Sequence, residues 1–336
     1  MNMYNQTFHN ENISRFKFLV TGGAGFIGSH IVEYLLKYKA GKVIVLDNLS
    51  TGFKENIDPF RLNKNFEFVE GDISCFDTCM KVCRDVDFVI HQAALGSVPR
   101  SIKYPLATNT ANVTGFVNML TAAKDCNVRR FVYASSSSVY GDSPKLPKTE
   151  DVIGNPLSPY AVSKRVDELY ANVYAKTYDM EVIGLRYFNI FGPRQSPTGP
   201  YAAAIPLFMF AVLNSKSPNI YGDGEQSRDF TFVENAVEAN VKALFASNSN
   251  AYGKVFNIAV GNQTTVNELF NIIKNLAGSK IIPEYIQERH GDIKHSLADI
   301  SRAGNLLGYN PAFDIVKGLE ITFKWFKEKY YSETKN

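Results

Sequence analysis

The chain has 336 residues, 45% of them hydrophobic and 21% charged, with a formal net charge of +3. That balance is ordinary for a globular enzyme, and the length allows a large core with two lobes around one cleft. The small charge and the lack of a Lys/Arg run argue against nucleic acid as a partner, and no apolar run is long enough to span a bilayer.

Residues 1–15 are polar and rich in Asn, with no apolar stretch of signal-peptide type. They read as a loose extension, and a cytoplasmic location is the expectation. Residues 16–21 form a short apolar run, a buried strand by length and composition. It ends in Gly22-Gly23-Ala24-Gly25-Phe26-Ile27-Gly28, followed by an amphipathic helix from Phe26 to about Lys39 and a second strand, 42–46, that stops at Asp47. Glycines there permit a tight turn and close backbone approach to a pyrophosphate, which a helix N-terminus attracts. Asp47 stands at the right remove to bond the adenosine ribose hydroxyls and to repel a 2′-phosphate.

The alternation continues through strand 66–70 and Gly71-Asp72-Ile73, which would cap an adenine pocket. Strand 87–91 runs into Gln92-Ala93-Ala94, where small side chains either admit a flat cofactor or simply pack the core. Cys75, Cys79 and Cys83 share one helical stripe; with no Cys-x-x-Cys pair or nearby His they read as small buried residues, and no metal site is expected. A helical stretch over 104–127 leads to a fifth strand, 130–134. Strand and helix repeated in this way predict an α/β fold with a doubly wound parallel sheet, its ligand beyond the carboxyl ends of the strands.

The fifth strand ends in Ser135-Ser136-Ser137-Ser138-Val139-Tyr140-Gly141, either a flexible loop or a hydroxyl cluster at the ligand-bearing end. Helix 159–179 follows, carrying Tyr160 and Lys164 one turn apart on one face. An ammonium beside a phenol stabilises the phenolate, which can take a proton from an alcohol as hydride leaves the adjacent carbon. After a sixth strand, 182–188, a Pro- and Gly-dense loop opens a region of shorter elements: helices 202–213, 233–246, 266–276 and 313–331, and a strand at 255–258. These read as a smaller C-terminal α/β lobe for substrate, giving domains of 16–189 and 190–336 with possible returns of chain to the first. Arg228 and Arg289 are candidates for a substrate diphosphate.

With the glycine turn, Asp47, the serines and Tyr160-x-x-x-Lys164 in this order, the chain resembles the extended short-chain dehydrogenase/reductase family from about residue 16 to 325. The stretches His91-Gln-Ala-Ala-Leu-Gly-Ser-Val-Pro-Arg-Ser101, Gly154-Asn-Pro-Leu-Ser-Pro-Tyr-Ala-Val-Ser-Lys164 and Leu185-Arg-Tyr-Phe-Asn-Ile-Phe-Gly192 are similar to bacterial UDP-N-acetylglucosamine/UDP-N-acetylgalactosamine 4-epimerases of surface-polysaccharide pathways. The resemblance implies a Rossmann-type domain, tightly held NAD and C4 epimerisation through a 4-keto sugar. It implies Tyr160 as acid/base, Lys164 as its partner and Ser136 as the active-site hydroxyl. Around the cofactor it places Gly22, Gly25, Phe26, Ile27, Asp47, Asn48, Ser50, Thr51, Gly52, Asp72, Ile73, Gln92, Ala93, Ala94, Asn112 and Tyr187. Around the UDP-sugar it places Gly96, Ser97, Ser136, Ser137, Ser138, Asn189, Gln195, Ala203, Tyr221, Arg228 and Arg289.

Two departures bear on the reaction. Ser137-Ser138 stand where sugar 4,6-dehydratases carry Asp-Glu, and Ser138 also replaces the Glu of related decarboxylases. Ser296 stands where epimerases confined to non-acetylated hexoses carry Tyr, leaving room for a 2-acetamido group. Alternative readings are a 4-epimerase of UDP-hexuronic acids, with Arg100 or Arg194 on the carboxylate, or of UDP-glucose/galactose, a dehydratase or decarboxylase, and an inactive NAD-binding protein. Family members are commonly homodimers, paired through helices 104–127 and 159–179.

Overall fold

The computed structural model describes residues 3–198, 202–288 and 294–331. Six strands form in the order expected: β1 Lys17–Thr21, β2 Lys42–Asp47, β3 Phe66–Glu70, β4 Phe88–His91, β5 Arg130–Ser136 and β6 Glu181–Tyr187. Alternate side chains of one strand serve two cores, as the two-residue period of a pleat requires. Phe18 and Val20 of β1 join one cluster, with α1 (Phe26–Lys37), and Leu19 joins the other, with α2 (Phe76–Cys83). Burial on both faces explains why these strands read as apolar runs rather than as alternating patterns.

After β4 the chain forms α3 (Val98–Lys103), α4 (Pro105–Asn109) and α5 (Gly115–Asp125). The single helix expected over 104–127 is thus split, with a π turn at Thr110–Thr114 between α4 and α5. Helix α6, Pro159–Tyr178, starts on Ser158, whose hydroxyl accepts from the Ala161 N–H, and ends at Asp179 in the left-handed region.

The rest of the chain contributes β7 (Ile190–Phe191), α7 (Ala204–Leu213), β8 (Asn219–Tyr221), β9 (Ser227–Arg228), β10 (Thr231–Phe232), α8 (Val233–Leu244), β11 (Val255–Ile258), β12 (Thr264–Thr265), α9 (Val266–Leu276), β13 (Glu284–Ile286), α10 (Ser301–Leu307) and α11 (Ile315–Tyr330). Strand β11 pairs parallel with β6, so the central sheet has seven strands in the order β11-β6-β5-β4-β1-β2-β3. The chain thus returns after residue 190: β11 belongs to the sheet of the first domain, and α8 packs beside α1 over one of its faces. The short pairs β7–β10, β9–β12 and β8–β13 build the smaller region beyond the sheet.

Strand order reverses between β1 and β4, so connections leave in opposite directions there and a crevice opens past their carboxyl ends. Gly22 and Gln92 follow those two strands directly.

The start of the chain is not a loose extension. Met3, Tyr4, Phe8 and Ile13 are buried. The Tyr4 N–H donates to Glu234 of α8, its hydroxyl meets His30 Nδ1 at 2.6 Å, and the Phe8 ring stacks on Tyr34 of α1 at 5.2 Å. Apolar side chains spaced irregularly among Asn residues carry no period that sequence reading can find, yet together they bury a strap across two helices. The cysteine expectation is corrected in one place: Cys79 and Cys83 are buried on α2, but Cys75 caps that helix and is exposed. Among the described residues no helix is long and apolar enough to cross a membrane.

Candidate active site

The glycine turn after β1 brings three stretches of backbone too close for side chains. Gly22 has φ +68°, and a Cβ there would lie 2.7 Å from Ala93 N; one on Gly28 would lie 2.2 Å from the Gly22 carbonyl oxygen. Gly25 caps α1, whose first N–H groups face the crevice. Asp47 is buried at the end of β2, with Oδ2 accepting from Ala24 N and Oδ1 from Leu49 N. Burial pushes its carboxyl up, and those two N–H groups oppose the rise.

These residues line a cleft of about 630 Å³ together with Phe26, Ile27, Asn48, Ser50, Thr51, Asp72, Ile73, Gln92, Ala93, Ala94, Gly96 and Ser97. At its inner end stand Ser136, Tyr160, Lys164 and Tyr187, so the turn and the Tyr-x-x-x-Lys helix face one space. A floor of glycine and alanine, a helix N-terminus for a pyrophosphate and a carboxylate at the β2 end fit NAD. The Ser136 hydroxyl accepts from Ser138 N at 3.1 Å, leaving its proton to donate. Lys164 Nζ donates to the Ala134 carbonyl at 2.9 Å and to Asp167 at 3.2 Å. Gln92 is held by two groups absent from the sequence reading as a unit: Tyr187 donates to its Oε1, and its Nε2 donates to Asn240 of α8.

A second recess of about 620 Å³ carries Ala203, Tyr221 and Arg228, and shares Asn189, Ile190 and Gln195 with the first. Gln195 Nε2 donates to Ile190 O, while its buried Oε1 has no partner among the described residues.

Several expected contacts lie elsewhere. Asn112 sits in the π turn and holds Leu95 N and O and the Ser163 hydroxyl, one layer behind the cleft. Gly52 packs its backbone on Ala24 and Asp47 outside the lining. Ser137 and Ser138 turn away into a short 3-10 turn. Ser296 is buried with its N–H on the Ser227 carbonyl, and it is not among the residues that line either recess. Arg194 pairs with Glu33 and Ser29 on α1 and is not among the residues lining either recess, whereas Arg100 does line the cleft. Arg289 lies outside the described residues.

Residues 18–259 match the NAD dependent epimerase/dehydratase family. The chain belongs to that family. A relative from Methanocaldococcus jannaschii named as a putative UDP-glucose 4-epimerase is 42% identical over 92% of this chain and 98% of its own. The solved UDP-N-acetylglucosamine 4-epimerase from Methanobrevibacter ruminantium M1, in complex with UDP-N-acetylmuramic acid, superposes with a TM-score of 0.89 at 42% identity, covering 94% of this chain and 99% of the other. A UDP-glucuronic acid 4-epimerase from Bacillus cereus, solved with UDP-glucuronic acid and NAD, gives 0.87 at 34% identity over 94% and 100% of the two chains. As in the rest of this family, the cofactor is NAD. Nucleotide released by denaturing the purified protein should therefore be mainly NAD. A preparation carrying mainly NADP would overturn the role given to Asp47.

Proposed function

We propose that the protein interconverts UDP-sugars at C4 through a 4-keto intermediate, with UDP-N-acetylglucosamine and UDP-N-acetylgalactosamine turned over most readily. The observation that carries this reading is one cleft holding Ser136, Tyr160, Lys164 and the glycine turn, joined through Asn189 and Gln195 to the recess of Tyr221 and Arg228. The first space suits NAD and the sugar, the second a uridine diphosphate, with Arg228 near its phosphates. The acetamido preference is supported by the likeness to the M. ruminantium enzyme.

The turn at Gly22–Gly28 would hold the pyrophosphate, Asp47 the adenosine ribose, and Asp72 with Ile73 the adenine. Lys164 would hold the ribose at the other end. Bound NAD supplies the means to remove and return hydride at C4. Tyr160 as phenolate removes the C4 hydroxyl proton, helped by the ammonium of Lys164, and Ser136 donates to the C4 oxygen. With C4 planar, the sugar presents its other face, and Tyr160 returns the proton to the epimeric alcohol. Dehydration would need a carboxyl pair after Ser136, where Ser137 and Ser138 stand.

A second reading, epimerisation of UDP-hexuronic acids, is favoured by Arg100 at the cleft. One assay separates the two: purified protein, four neutral UDP-sugars and the two uronates, no added NAD, products resolved by chromatography. We expect interconversion, with kcat/KM higher for the acetamido pair than for UDP-glucose and UDP-galactose. Faster uronate turnover would replace the first reading with the second, and no turnover of any sugar would defeat both.

We also propose a homodimer. Val162, Leu169 and Val173 leave a row of apolar side chains exposed along α6, near Leu106 of α4, which is 83% exposed. Sedimentation should give twice the chain mass, and Leu169→Glu with Val173→Glu should give the monomer.

A further inference from the structure

Asp167 lies three residues beyond Lys164 on α6. It is fully buried, its Oδ2 accepts from Lys164 Nζ at 3.2 Å, and its Oδ1 has no hydrogen-bond partner among the described residues. A buried carboxylate with an unpaired oxygen is costly, and a neutral side chain of the same shape would cost less. What only a carboxylate provides here is negative charge against the ammonium that serves Tyr160. Its neighbour Glu168 does not supply this, being engaged by Arg186, Arg165 and Ser135. Of the three ammonium protons on Lys164, Ala134 and Asp167 take two, which leaves one for the cleft.

We propose that Asp167 is a positioning residue for Lys164: it fixes the direction of the ammonium and, by its charge, offsets part of the field that Lys164 exerts on Tyr160. The inference rests on the role given to Tyr160 above. The titratable groups acting on Asp167 are Lys164 and Glu168 on its own helix, and Tyr133 of β5 lies in its field. Arg186 of β6 and Arg165 are turned to Glu168, and His91 of β4 lies in the field of Lys164. Burial pushes Asp167 up to about 7, against the pull of Lys164, so its charge is present above that pH and fades below it.

The test is Asp167→Asn, which keeps the shape and an acceptor for Lys164 but removes the charge. The Tyr160 phenolate is read without substrate, by ultraviolet difference absorbance against Tyr160→Phe. We expect the phenolate signal to appear at lower pH in Asp167→Asn by roughly 0.5 to 1.5 pH units, the Coulomb scale of one charge about 10 to 20 Å away at an effective dielectric of about 20, seven residues of helix being about 10 Å. The acid limb of kcat/KM should move the same way. An unmoved phenolate curve in a folded variant, judged by circular dichroism, overturns the proposal. A moved curve supports it even if no UDP-sugar turns over, an outcome that would remove only the functional reading. Should Asp167→Asn not fold, Asp167→Ser is read by the same two criteria.

Discussion

Tyr160→Phe should keep the fold and the bound NAD and lose at least about 100-fold in turnover, the usual contribution of a placed acid/base group. Nothing in the fold leans on the hydroxyl: among the described residues it makes no hydrogen bond, and the start of α6 is secured by Ser158. The ring stays, so its contribution to the cleft wall stays. What goes is the proton acceptor of the proposed mechanism. The variant should release as much nucleotide on denaturation as the parent while kcat collapses. A folded Tyr160→Phe protein with near-normal kcat would take Tyr160 out of the mechanism.

The largest effect on stability is expected at Glu168. This carboxylate accepts two hydrogen bonds from Arg186, at 2.7 and 2.9 Å, one from Ser135 and one from Arg165. The Arg186 guanidinium is buried, donates also to the Glu150 carbonyl and lies 4.9 Å over the Tyr140 ring. Glu168→Ala strands that cation in the interior, which typically costs about 3–5 kcal/mol. Urea unfolding should show a loss of that size, a large share of the roughly 5–15 kcal/mol that holds most proteins folded. Glu168→Ala with Arg186→Met should recover most of it, since no charge is then left unpaired. A loss below about 1 kcal/mol in the single variant would place the pair among weak surface bridges. The pH dependence has a definite sign. Burial alone would raise the Glu168 carboxyl, but its bonds to Arg186, Ser135 and Arg165 bring it below 4.5. The contribution is therefore complete above about 4.5 and fades as pH falls through the depressed value. Acid unfolding of Glu168→Gln should accordingly be less steep.

The sequence was most legible where chemistry and period coincide. The glycine turn, Asp47 and Tyr160-x-x-x-Lys164 each need a particular residue at a particular spacing, and all of them line one cleft. Strand 255–258 was legible as a strand, but its place was not, because four apolar residues carry no label of the neighbour they will pair with. Asn112 and Ser296 are expected from their positions in motifs; the π turn directs Asn112 to Leu95 and Ser163, and Ser296 is buried with its N–H on the Ser227 carbonyl, contacts that no motif spells out. Arg194, one of two candidates for a substrate carboxylate, instead meets Glu33, and a partner 161 residues away in the chain leaves no local signal. Nothing in the sequence marks Asp167; its burial beside Lys164 sets it apart.

The strap at the start of the chain and the seventh strand have a consequence for how the protein is made. Tyr4 is synthesised well ahead of its partner: the carboxylate that receives its N–H belongs to Glu234, 230 positions later. The edge of the sheet beyond β6 is equally late, supplied by Val255–Ile258. Contacts between distant parts of a chain form slowly and leave apolar surface uncovered meanwhile. Phe8 can settle on Tyr34 of α1 early, but Tyr4 lacks its Glu234 partner until α8 has been synthesised, and the cofactor domain is not a first half that can finish alone. A nascent chain cut between Asp179 and Val255 has every residue of the glycine turn and of the Tyr160 helix, yet lacks the strand that pairs with β6.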